Sequence, residues 1–73
     1  MNEREQMKLD MVKNLAALLM DDNPKLSMEK SLFIVLNSDT YQRLLRDTTH
    51  LYYQSPRYVY SFLQNELVSG RVN

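Results

Sequence analysis

His50 is the only histidine in the chain, and it is the side chain best suited by its ordinary pKa to move protons near neutral pH. Hydrolytic chemistry would need it beside a nucleophile and an orienting acid in one pocket. It falls in a stretch, Asp47 to Gln54, that reads as a loop, and no glycine-rich nucleophile turn exists anywhere in the chain. A loop-packing or surface imidazole is the expectation. Asp21 and Asp22 offer paired carboxylates, but in a turn with no apolar neighbours placed to raise a pKa for acid–base work. The same run, Asp21-Asp22-Asn23, superficially suggests a calcium loop. Counting from Asp21, the fifth, sixth and twelfth positions are Lys25, Leu26 and Leu32, where such a loop needs an oxygen ligand, a glycine and a glutamate. With no cysteine, thiolate zinc sites, iron–sulfur clusters and a thiol nucleophile are excluded. No catalytic, cofactor-binding or metal-ligating residue is therefore assigned, no cofactor is expected, and the chain reads as a non-enzyme.

What remains is a concentration of tyrosine and arginine. Tyr41, Tyr52, Tyr53, Tyr58 and Tyr60 lie among Arg43, Arg46 and Arg57, the residue types enriched where proteins meet. Some of these rings will edge the core and lend a hydroxyl to the backbone. The rest predict an interaction surface centred on Tyr52, Tyr53, Arg57 and Tyr60. Nucleic acid is the competing partner. Residues 28–37, a turn at Asn37-Ser38-Asp39, and residues 40–46 have the length of a helix-turn-helix, which would make Arg43, Arg46 and Arg57 the contacts. Nucleic-acid binders gather several phosphate contacts on a strongly basic face. Here nine Lys and Arg balance nine Asp and Glu, and Asp39 would stand at the start of the recognition helix. A weak DNA-binding regulator is thus the alternative to a protein-interaction module.

Four elements must position these residues. Glycine is limited to Gly70 and proline to Pro24 and Pro56, and the turn dipeptides of a multi-stranded sheet are missing. A first helix over residues 3–20 carries Met11, Val12, Leu15, Ala16, Leu18 and Leu19 on one face. Its first turn is expected to fray, with Asn2 the only cap, and Pro24 ends it. A second helix over 28–37 starts after Ser27 and is apolar on every side from Leu32 to Leu36, which predicts the central, most buried element. A third, over 40–46, is capped by Ser38 or Asp39 and turns Tyr41, Leu44 and Leu45 inward. Leu51 to Tyr53 is left open between strand and coil. A fourth, over 56–69, has Ser55 as cap, Pro56 in the first helical position and Gly70 at its end. Val59, Phe62, Leu63 and Leu67 form its face, and residues 71–73 are expected to fray. The expectation is an all-α, single-domain bundle of about four helices spanning residues 1–73, with helix 2 central.

A 73-residue chain without disulfides or a metal is marginal on burial alone. Tight helix packing, or cover from a partner or second copy, must supply the difference. The longest apolar runs, Leu15–Met20 and Leu32–Leu36, fall far short of the roughly 20 residues that span a bilayer. No secretory leader pattern opens the chain, so a cytoplasmic location and no membrane partner are expected.

The stretch Leu51-Tyr52-Tyr53-Gln54-Ser55-Pro56-Arg57-Tyr58-Val59, together with Leu26-Ser27 and Asn37 through Leu45, resembles a family of short, uncharacterised bacterial all-helical proteins. That family carries Leu-His-Thr-Gln-Ser/Gly before a Tyr-Ile/Val helix. Leu51, Gln54, Ser55, Tyr58 and Val59 match, while Tyr52 and Tyr53 replace the His-Thr pair. The resemblance covers roughly residues 26–67 and implies no catalytic residues. Because some members neighbour ADP-ribosyltransferase-like toxins, it implies an accessory or antitoxin-like partner role.

Overall fold

Each of the four α-helices opens on a side chain able to satisfy its first free N–H groups. Asn2 Oδ1 accepts from Glu5 N at 2.8 Å, Ser27 Oγ from Lys30 N at 3.1 Å, Ser38 Oγ from Tyr41 N at 3.0 Å and Ser55 Oγ from Tyr58 N at 3.2 Å. The computed structural model describes residues 2–69. In it these caps start α1 (Glu3–Asp22), α2 (Met28–Leu36), α3 (Asp39–Leu45) and α4 (Pro56–Val68). The first turn of α1, expected to fray, is capped, because Asn2 has the extended backbone that a capping side chain requires. Ser38, not Asp39, caps α3, and it also donates to Val35 O at 2.6 Å, which makes the α2–α3 turn very short. Gly70 and residues 71–73 lie outside the described residues.

No strand occurs among the described residues. Leu51–Tyr53, left open by the sequence, is a 3-10 turn, and Asp47–Thr49 is another. Between them His50 adopts the left-handed conformation at φ 55°. Its side chain stands exposed, in a loop as expected, its ring edge-on to Tyr52 and Tyr53.

The core is built around α1. Met11, Val12, Leu15, Ala16 and Leu19 form a buried stripe along it, against which α2, α3, α4 and the second 3-10 turn all pack. Val35, Leu44, Leu51, Tyr52, Val59, Tyr60 and Leu63 complete the cluster. The expectation that helix 2 would be central is therefore corrected. α2 buries only Ser31 and Val35, and Phe33 is 64% exposed. A nine-residue helix that is apolar all round offers apolar groups in every direction, but only one side of α2 has anything to pack on. The twenty-residue α1 has a stripe long enough to serve every neighbour.

Ser31 is fully buried and its Oγ has no hydrogen-bond partner. A buried hydroxyl without a partner loses its hydration and gains nothing in return. Ser31→Ala is accordingly expected to raise stability by about 1 kcal/mol in urea unfolding followed by circular dichroism; a loss of stability would show that the hydroxyl is satisfied.

Candidate interaction surface

The four residues expected to share one surface are divided by the fold. Tyr60, on α4, is 4% exposed, and its hydroxyl donates to Asp22 Oδ2 at 2.7 Å, with Gln64 Nε2 adding a second donor at 3.2 Å. Burial first, then the bond to the Asp22 carboxylate, pushes this phenol well above the ordinary range. Tyr60 thus stays a neutral donor that ties α4 to the end of α1. Tyr52 is 6% exposed, with the Lys8 ammonium 5.4 Å from its ring centroid. Tyr53 turns outward at 65% exposure although its ring centroid lies 4.7 Å from that of Tyr52. Arg57 is exposed in the first turn of α4. As a correction, Tyr52 and Tyr60 belong to the core of a single copy, and only Tyr53 and Arg57 of the four are presented to solvent. Spacing could not separate them, because consecutive residues of a 3-10 turn point to different sides.

Lys8 and Asp47 explain why Tyr52 is covered. Lys8 Nζ donates to Asp47 Oδ1 at 2.6 Å and to Leu45 O at 2.9 Å, and Arg4 Nη1 meets Asp47 Oδ2 at 3.0 Å. The loop after α3 is thereby strapped over α1. The Lys8 hydrogen bond, against some opposing desolvation, holds the Asp47 carboxyl below its usual 3.8. A lowered folded-state pKa contributes stability that is complete above the ordinary value and is lost as pH falls through the folded one. Acid titration of wild type and Asp47→Asn, followed by circular dichroism, should show the wild-type advantage shrink as pH falls below about 4 and vanish once the folded-state carboxyl protonates; an advantage undiminished at pH 2 would contradict the strap.

The arginines considered for nucleic acid, Arg43, Arg46 and Arg57, are all exposed. The start of α3, however, is occupied by an acid from α4. Glu66 Oε2 accepts from Asp39 N at 2.7 Å, and Oε1 accepts from Thr40 N at 3.0 Å and Thr40 Oγ1 at 2.9 Å. With Asp39 itself there, two carboxylates stand where a recognition helix would approach base edges and phosphates. Arg43 lies beside them, lining a polar cavity of about 370 Å³ with Phe62 and Asn65.

A surface that the spacing did not single out lies on the opposite side of α3. Leu9 of α1, Leu36 at the end of α2 and Leu45 at the end of α3 are 41%, 44% and 42% exposed. They line one groove of about 230 Å³ with Val12 and the half-buried Tyr41, and with Glu5 and Lys8 contributing its charges. Phe33, one turn before Leu36 on α2, is bare as well, but it lies outside this groove, in a shallow depression with Ser27, Glu29 and Lys30. Leu45 was expected to face inward with Leu44; only Leu44 does. Leu9 carried a usable signal, since it falls off the Met11–Val12–Leu15–Ala16–Leu19 stripe and yet is apolar.

Among the described residues no group of three or more His, Cys, Asp or Glu is placed to hold a metal ion, and no helix is long and apolar enough to cross a membrane. Comparison with protein-family models, curated proteins and solved structures finds no match.

Proposed function

We propose that this chain is a small, non-enzymatic, cytoplasmic protein-interaction module that binds through the α1–α2–α3 groove. One observation supports this above the others: three leucines from three different helices, each more than two-fifths exposed, converge on one concavity. Scattered exposed apolar side chains are ordinary on a protein surface; a contiguous set is what binding sites present. An adaptor, or the accessory or antitoxin-like role implied by the resemblance to short bacterial proteins, is a form of this reading.

A photo-cross-linking amino acid placed at Leu36, in cells of the source organism, tests it. Discrete adducts should form at position 36, be absent from the same probe at Gln64 on α4, and disappear when Leu45→Glu is added. Equal labelling at both positions, or none at either, would refute the reading.

DNA binding through Arg43, Arg46 and Arg57 stands second, favoured by the exposure of all three and opposed by the carboxylates at the start of α3. It predicts that each Arg→Ala change lowers the slope of log affinity against log salt by about one. Fluorescence anisotropy on duplex DNA measures this, and an affinity insensitive to salt rejects it.

A further inference from the structure

The strap beside Tyr52 is also part of the groove. Lys8 and Leu45 both line that groove, and Lys8 Nζ donates to Leu45 O at 2.9 Å and to Asp47 Oδ1 at 2.6 Å. Leu45 is the last residue of α3, so its carbonyl is one of those a helix end leaves without an intrahelical donor. One ammonium thus meets three parts of the molecule: the groove wall at Leu45, the 3-10 turn Asp47–Thr49, and the Tyr52 ring. That turn is built to move as a unit. It buries no residue, Arg46 before it is extended at φ −80° and ψ 121°, and His50 after it is left-handed at φ 55°. A hinge residue therefore stands at each end, and a residue with a Cβ keeps the left-handed conformation only while its surroundings hold it there. Thr49 Oγ1 ties the turn to α3 through Arg43 O at 2.7 Å and Arg46 O at 2.9 Å. Among the described residues, its hydrogen bonds to α1 run through Asp47 alone, to Lys8 and to Arg4. The turn is joined to α3 by the chain and by neutral hydrogen bonds, and to α1 by charge.

We propose that Lys8 and Asp47 form a charge-operated latch on the groove. With both charged, the turn and Leu45 lie against α1 and the groove has its third wall. With either charge lost, the turn swings on Arg46 and His50, Tyr52 is uncovered, and Leu45 moves away from Leu9 and Leu36. This rests on the interaction reading for the use of the groove, and the latch itself can be measured with no partner present. Lys8 is the decisive cation. Its side chain is 16% exposed and so is sheltered from screening, whereas the Arg4–Asp47 pair is open to water on both sides and contributes little. The groups facing Asp47 are Lys8 and Arg4 from α1 and His50 from its own loop, while α3 brings Arg46 beside it in sequence; Glu5 is the acid that shares the groove with Lys8. Cations on α1 favour the carboxylate form of Asp47, so acid opens the latch only below the ordinary carboxylate range. At neutral pH it is the Lys8 charge that has to be removed.

Hydroxyl-radical labelling of the full chain, read residue by residue by mass spectrometry, reports which rings are covered. In wild type near neutral pH, Tyr53 and Tyr58 should label while Tyr52 and Tyr60 stay protected. In Lys8→Gln and in Asp47→Asn, Tyr52 should label at least about 5-fold faster, and in Lys8→Arg, which keeps the charge, within about 2-fold of wild type. Tyr60, bonded to Asp22 at the end of α1, is the internal control for global unfolding and should stay protected throughout. Acid should raise Tyr52 labelling in wild type and produce no such step in Asp47→Asn. Leucine-methyl NMR spectra of Lys8→Gln should show Leu45 shifted and the fully buried Leu63 unmoved. Tyr52 labelling unchanged in both charge-removing variants, Tyr52 and Tyr60 exposed together, or Leu45 unmoved would each overturn the latch. The photo-cross-linking probe at Leu36 separates this proposal from the reading it rests on. Adduct yield should fall at least about 5-fold when Lys8→Gln is added, the groove having lost a wall. An undiminished yield overturns the control and leaves the interaction module standing. No adduct in any variant, with Tyr52 uncovered as expected, refutes the module and supports the latch.

Discussion

Leu15→Ala is expected to lower the unfolding free energy by about 2–5 kcal/mol, the range for truncating a fully buried leucine whose surroundings cannot collapse around the void. Leu15 is fully buried in the middle of the stripe on which every other helix packs. A single core in a domain this small supplies only about 3–5 kcal/mol of net stability, so the variant should be largely unfolded at 25 °C. Urea titration by circular dichroism, against Leu67→Ala as a control on the exposed side of α4, makes the measurement. A loss below about 1 kcal/mol at Leu15 would contradict the placing of α1 at the centre.

Glu66→Ala is the second large effect, expected at about 2–3 kcal/mol. The carboxylate accepts three hydrogen bonds from the start of α3, and bonds to a charged acceptor contribute about 1.5–3 kcal/mol each when well shielded. The total is reduced here because Glu66 is only half-buried and one bond lies at the surface. At seven residues α3 is too short to hold itself together, so it depends on this acid and on the burial of Leu44. Glu66→Gln keeps one acceptor oxygen and should lose about half as much. Equal stability of wild type and Glu66→Ala in urea would remove the tie between α3 and α4 from the account.

The helices were legible from their caps and breakers. Ser27, Ser55 with Pro56, and Pro24 each mark a boundary through local backbone chemistry, which a sequence displays directly. The all-α class followed from the same punctuation. The rank of the helices was not legible. Leu32 to Leu36 is the most apolar run outside α1, yet apolarity says that a segment can be buried and not that neighbours exist to bury it, and Phe33 and Leu36 were left outside. The tyrosine cluster failed for a related reason. Tyr52 and Tyr53 are chemically the same in sequence, and which of them enters the core depends on the turn beginning at Asp47 and on Lys8, thirty-nine residues away from Asp47. Asp22 belongs in sequence to a turn that ends a helix, and its use as the acceptor for Tyr60 and Gln64 is a contact between distant positions that no local pattern announces. The groove is missed in the same way, since its three leucines come from three helices.

Leucine-methyl NMR spectra of the isotope-labelled chain, in dilute buffer and then in an extract of its source cells, put the central claim to the most direct test. The methyl signals of Leu9, Leu36 and Leu45 should broaden or shift, while those of Leu67, which is 39% exposed on α4 outside the groove, stay where they are. Perturbation concentrated at Leu67 with the three groove leucines unmoved would place any binding surface elsewhere and contradict the account.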